Sequence, residues 1–210
     1  MNNIIYYLQN NASFEVLIVE LSLCAYIIGL ILFSKQRLAS GFSPESLYKM
    51  GGYYYASPSL FRLVSSIFIH RNISHLYYNM FSLFVYGYII SSISSISSLE
   101  RFIIFMLSSV LATILSSIRM NKNIVSVGAS GGVMGLIGAV LCILIFDVRH
   151  DDISQTFFIV ILLTTLNDLN SQIIHNIRGK AKINVAVHIY GILVGFIITS
   201  IIIYTRTYPA

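Results

Sequence analysis

Six stretches of this chain, residues 16–33, 66–90, 102–118, 128–146, 153–169 and 183–204, are each apolar over about the length that a membrane-crossing helix needs. Together they use up nearly the whole sequence, which leaves no separate soluble domain. With 56% hydrophobic and 10% charged residues, 210 residues could not fold in water and cover their apolar surface, so the bilayer must act as the solvent. Backbone N–H and C=O groups in hydrocarbon have to be satisfied inside the protein. The expected architecture is therefore an all-α membrane protein, a compact bundle of six transmembrane helices in one domain over 1–210. The first connector, 34–62, is long, and its segment from Pro44 to Phe61 mixes aromatics with charges, which suits an interfacial position. The second stretch opens with unusually polar turns, and the serine-rich run after it reads as a turn region. Arg119 to Ser126, Asp147 to Asp152 and 170–182 are the remaining loops.

Several function classes drop out on composition. The net charge of +5 sits in short loops and is too sparse for a nucleic-acid footprint; it suits membrane orientation or lipid contact. Cys24 and Cys142 both lie in apolar runs and are expected to be buried small hydrophobes, not a disulfide or metal site. Residues 1–13 hold no Lys or Arg, and no small-residue cleavage site follows the first apolar run, so no cleavable signal peptide is expected.

The chemistry must come from polar residues at membrane depth, where each is costly. Val127-Gly128-Ala129-Ser130-Gly131-Gly132-Val133-Met134-Gly135 holds one serine among small residues at the start of the fourth span. Glycines there permit a sharp turn into a helix whose free N–H groups face the serine oxygen, a route to a nucleophile with an oxyanion site. The competing reading is a small-residue packing face, since Gly131 and Gly135 also form G-x-x-x-G. His188 lies a few residues into the sixth span, with Gly191 and Gly195 three and seven positions later on the same face. The fourth span offers Gly131, Gly135 and Gly138 as a matching surface, so close packing would bring Ser130 and His188 together. Even-numbered spans run in the same direction, which puts both on one side of the membrane. A histidine that merely bonds a neighbouring helix is the alternative.

His75 and Asn79 in the second span are four residues apart, share a helix face, and supply the donors a developing oxyanion needs. His70 is out of register with His75 and is expected to make structural hydrogen bonds. No H-E-x-x-H occurs, and no acidic residue lies near His70, His75 or His188, so neither a metal nor another cofactor is expected. No aspartate stands where it could orient His188, which leaves a Ser–His dyad.

These residues resemble the rhomboid intramembrane serine proteases over nearly the whole chain. The likeness rests on Phe61-Arg62, on His70-x4-His75-x3-Asn79, on Gly128-Ala129-Ser130-Gly131, and on His188-x2-Gly191-x3-Gly195. By that resemblance Ser130 is the nucleophile and His188 its base. The oxyanion hole is then made by His75, Asn79 and the Ser130 backbone N–H, with Gly128, Gly131, Met134, Gly191, Gly195, His70 and Arg62 in support. Two positions depart from the family pattern. Phe61 replaces the Trp of the usual Trp-Arg, and Met134 replaces the Tyr or Phe that stacks on the histidine. A thioether still contacts an imidazole ring, so weaker orientation of His188 is expected rather than inactivity.

The function so implied is hydrolysis of peptide bonds in or near transmembrane segments of membrane-protein substrates, in a multi-pass protein of the cell membrane. Membrane lipids are its other partners, and no nucleic acid is expected. The competing class is a non-catalytic binding or quality-control module of the derlin-like or pseudoprotease kind, whose members typically lack Ser or His. A transporter is more distant, since no inverted repeat is visible. The family's arrangement puts both termini in the cytoplasm and the catalytic mouth outside. The cations oppose it: ten of them, from Lys35 to Lys182, flank the loops after the first, third and fifth spans, against Arg101, Arg149 and Arg206 on the other side. The family orientation is kept as the expectation.

Overall fold

A computed structural model of the chain describes residues 2–33, 37–38, 41–118, 123–146 and 185–208, with single helical positions at 160, 163–165, 167, 170 and 174. Among the described residues the helices are α1 (Asn2–Asn10), α2 (Ser13–Phe33), α3 (Pro44–Met50), α4 (Leu60–Ser65), α5 (Ile73–Ile93), α6 (Ser98–Ser117), α7 (Ser130–Phe146) and α8 (Val185–Thr207). Two short antiparallel pairs join them: β1 (Arg37–Leu38) with β2 (Gly41–Phe42), and β3 (Tyr53–Tyr54) with β4 (Val125–Ser126). The chain is mostly helical. Helices α2, α6 and α8 are each long and apolar enough to cross a membrane, and α7 is apolar but shorter. The expected fifth span, the cluster Asp147–Asp152 and the basic loop 170–182 lie outside the described residues, apart from the single positions named.

Helix boundaries follow from local chemistry. The second stretch was expected at 66–90, but α5 starts at Ile73 because the Asn72 side chain accepts the His75 N–H at 2.8 Å and caps the helix. Residues 66–68 form turns instead, and the polar run His70-Arg71-Asn72 precedes the helix. α6 opens on a capping box: Glu100 accepts the Ser97 N–H at 2.8 Å, and the Ser97 oxygen accepts the Glu100 N–H at 3.3 Å. Gly51, at φ 111°, ends α3 in the left-handed conformation.

Helix α7 is the axle of the bundle. Every residue from Gly131 to Val140 is buried, so its uniformly apolar sequence serves protein packing on all sides. Its closest neighbour is α8, and the contact is backbone on backbone. A Cβ on Gly191 would stand 2.5 Å from the Gly131 carbonyl oxygen, and one on Gly195 or Gly138 would overlap the Gly135 or Ile192 carbonyl. Only glycine permits that approach.

The long connector is not confined to an interface. Phe42 and Leu47 are fully buried, Phe42 packs edge-on to Tyr26 at 5.5 Å, and Met50 fills the notch left by Gly29 of α2. The Phe42 N–H also donates to the Arg71 carbonyl at 2.8 Å, so this connector is tied to the approach to α5. Cys142 is buried as expected, but Cys24 is exposed on the outer side of α2.

At the end of the bundle where α2 and α6 begin and α5 and α8 finish, a polar network joins the helices. Arg101, 1% exposed, donates to Glu15 Oε1 at 3.0 Å, to the Ile96 carbonyl at 3.1 Å and to the Asn11 carbonyl at 2.5 Å. Arg206 donates to Ser95 Oγ at 2.7 Å and pairs with the Glu100 carboxylate at 2.5 Å, and Ser13 bonds Ser98 at 2.9 Å.

Candidate functional site

The other end of the bundle holds the candidate residues. Ser130 is the first residue of α7, and the turn leading to it is held from three directions. Gly128 takes φ 109°, and its N–H donates to the Ser66 carbonyl at 2.8 Å. The Ala129 N–H points at His70 Nε2, 3.5 Å away, while His70 Nδ1 lies 3.1 Å from the Phe68 carbonyl. One ring nitrogen accepts and the other donates, which assigns the neutral tautomer with its proton on Nδ1. The third tie is β4, paired with β3 in the register Tyr53 to Ser126 and Tyr54 to Val125, so the first connector braces the strand that runs into the serine turn.

The start of α7 leaves its first N–H groups without helical partners. Gly132 and Val133 both donate to the Ala129 carbonyl at 3.0 Å, which leaves the Ser130 and Gly131 N–H groups at the positive end of the helix dipole. Against this turn stand His75 and Asn79, one helical turn apart on α5. A Cβ on Gly128 would come within 2.6 Å of His75 Cε1, 2.8 Å of His75 Nε2 and 3.3 Å of Asn79 Nδ2. Glycine is thus required there twice, for its φ and for its missing side chain. The His75 ring meets His70 edge to face at 5.1 Å. Asn79 is 7% exposed, and its Nδ2 is buried without a hydrogen-bond partner. A buried amide donor with nothing to bond is a rare and unfavourable state.

A cavity of about 890 Å³ opens at this place. Ser130, His188, His75, Asn79, Gly128, Gly131 and Met134 all line it. His188 approaches through its neighbour: a Cβ on Gly131 would stand 3.1 Å from Val187 Cγ1, so the residues flanking Ser130 and His188 touch. Tyr78, Ser82 and Tyr86 continue the lining along α5, with Thr164 and Thr165 also present. Three hydroxyl-bearing residues of α5 went unnoticed in the sequence, although their mutual spacing of four puts them on one helix face, beside that of His75 and Asn79.

The remaining candidates lie outside the cavity. Gly191 and Gly195 form the contact with α7, and Met134 packs its Cβ region against Gly191. His70 sits behind the serine turn, completely buried. Arg62 organises the connector: it donates to the Tyr48 and Gly52 carbonyls, and its guanidinium lies 3.8 Å above the Tyr48 ring. Phe61 beside it is 73% exposed. Among the described residues no three His, Cys, Asp or Glu side chains gather to hold a metal ion.

Comparison with known proteins gives one family. Residues 57–205 match the Rhomboid domain. A segment of 80 residues, 38% of this chain, is 36% identical to RHOMBOID-like protein 6, mitochondrial, of Arabidopsis thaliana, and covers 25% of that protein. A similar segment is 31% identical to Rhomboid-like protein 11, chloroplastic, of the same plant, over 40% of this chain and 29% of the relative. YdcA of Bacillus subtilis (strain 168), named as a candidate rhomboid protease, is 27% identical over 69% of this chain and 68% of its own length. The chain thus matches little more than a quarter of the length of the two plant relatives.

Proposed function

The chain belongs to the rhomboid family, and from that premise we propose that this integral membrane protein is an intramembrane serine endopeptidase built as a six-span bundle. Ser130 attacks the scissile carbonyl as His188 takes its proton. The leaving amine is protonated by His188, and water then hydrolyses the acyl-enzyme by the same exchange in reverse. The tetrahedral oxyanion is received by the Ser130 N–H, the Asn79 amide and His75.

The observation that carries this reading is the orphaned Nδ2 of Asn79. A buried amide donor without a partner is unfavourable, and this one lies beside Gly128, two residues before the serine, on the wall of the cavity that Ser130 and His188 also line. An oxyanion is the acceptor that such a donor lacks. The positive end of α7 favours the same charge at the same place. Substrates are transmembrane proteins of the cell membrane, cut where their helices unwind into the cavity.

The test is labelling by a fluorophosphonate probe together with cleavage of a reconstituted transmembrane substrate. Wild-type protein should be labelled and should cut; Ser130→Ala should do neither while keeping its melting temperature, because the change removes one hydroxyl. Cleavage by Ser130→Ala at the wild-type rate would end the proposal.

A further inference from the structure

Helix α2 carries two glutamates, and the fold treats them oppositely. Glu15 is completely buried and ion-paired with Arg101. Glu20, a little more than one turn further along, is exposed. The buried residues of α2 include Phe14, Ile18, Ser22, Tyr26 and Gly29. At 3.6 residues per turn these lie on the side of the helix opposite Glu20, which therefore points straight away from the protein. It stands about 10 Å along the helix from Ser13 at 1.5 Å per residue, inside a segment apolar and long enough to cross a membrane. Among the described residues it makes no hydrogen bond or ion pair. An acidic side chain facing lipid at that depth is unfavourable, and side chains of this kind normally turn inward or find a partner.

The residues that share its face complete the picture. Val16, Glu20, Cys24, Ile27 and Ile31 follow one another at intervals of four, four, three and four, and all are exposed. That is the spacing of a seam between two packed helices, with a small residue, Cys24, one turn from the acid. No residue of α2 lines the Ser130 cavity, so the seam is separate from the candidate site.

We propose that this face of α2 is a docking surface for a partner transmembrane helix that presents a Lys or Arg at the depth of Glu20. The choice of partner follows from charge complementarity, with the Glu15–Arg101 pair as the precedent inside the same fold. A second copy of this chain packed α2 against α2 would bring one Glu20 against another and supply no cation. A partner helix without a cation would leave the acid as it stands.

The experiment uses the purified full chain, donor-labelled at its C-terminus, in phosphatidylcholine vesicles. Two acceptor-labelled leucine-rich transmembrane peptides are compared, one with a single Lys at the matching depth and one with Leu there. Energy transfer should report about tenfold tighter association of the Lys peptide. Glu20→Leu should bring both peptides to the same weak level. Glu20→Lys should transfer the preference to a peptide bearing Asp. Unchanged melting temperatures of both variants establish that they are folded. Equal association of the two peptides with wild type, or a Lys preference that survives Glu20→Leu, overturns the proposal. Self-association of the protein that disappears in Glu20→Leu, without any peptide preference, overturns it too and assigns the seam to a second copy.

Discussion

The two ends of the bundle join their helices by different means. Where α2 and α6 begin, Arg101 spends its guanidinium on Glu15 and two carbonyls, and Arg206 closes onto Glu100 and Ser95. At the cavity end, Asn79 Nδ2 has no partner, and the α7–α8 contact beside it is made by glycine backbone. One end joins helices by paired charge, although Glu15 Oε2 is left without a partner there; the other joins them by close approach and turns its unpartnered donor toward the cavity. The difference separates what holds the fold from what is available to do chemistry, and substitutions at the two ends should fail in different ways.

The largest effect is expected from Gly195→Leu. Its side chain would have to displace the Gly135 backbone, so α7 and α8 should separate, and the protein should lose both its cooperative melting and all cleavage. A folded, active Gly195→Leu protein would mean that close approach is not what joins the cavity end. Arg101→Leu should come next, at about 3–5 kcal/mol of stability, because it strands the Glu15 carboxylate in the core. Denaturant titration in detergent checks this, and the double variant Glu15→Leu, Arg101→Leu should recover much of the loss. At temperatures where it stays folded, Arg101→Leu should cleave at close to the wild-type kcat. Asn79→Ala should show the converse: kcat lowered about 10²–10³-fold, the usual cost of losing one oxyanion donor, with a melting temperature no lower than wild type, since no bond is broken. A melting temperature that falls as far as in Arg101→Leu would erase the distinction between the ends. The smallest effect belongs to Arg206→Gln. Its pair with Glu100 is partly exposed, and such pairs contribute less than about 1 kcal/mol.

What could be read from the sequence was whatever depends on spacing along one helix. The glycines three and seven residues beyond His188, and those at 131, 135 and 138, spell a contact face without any structure, and His75 with Asn79 share a face by count alone. What escaped depends on partners distant in the chain. Nothing in Tyr53-Tyr54 announces that it pairs with Val125-Ser126. The Ala129 N–H finds His70 only because the chain leaves α4 in turns at 66–68 instead of running on as one helix into α5. Phe42 looked like one more aromatic in an interfacial connector, yet it is core, because Gly29 opens a notch in α2 for that connector to fill. Glu20 was visible as an interruption of the first span, but only the buried pattern of α2 tells that it faces outward while Glu15 faces in.

Order of synthesis gives the glycine contact between α7 and α8 another meaning. A nascent chain grown through Phe146 already carries Ser130, its turn, His70, His75 and Asn79, and even the connector strand that braces β4. It lacks α8. The glycine face of α7 that receives Gly191 and Gly195 stands open, and His188 has yet to be translated. On the proposed function, the serine spends the interval before α8 is made without its base. On that proposal the α7–α8 contact also sets an order: the nucleophile is synthesised first, and its base reaches it only when α8 closes onto α7.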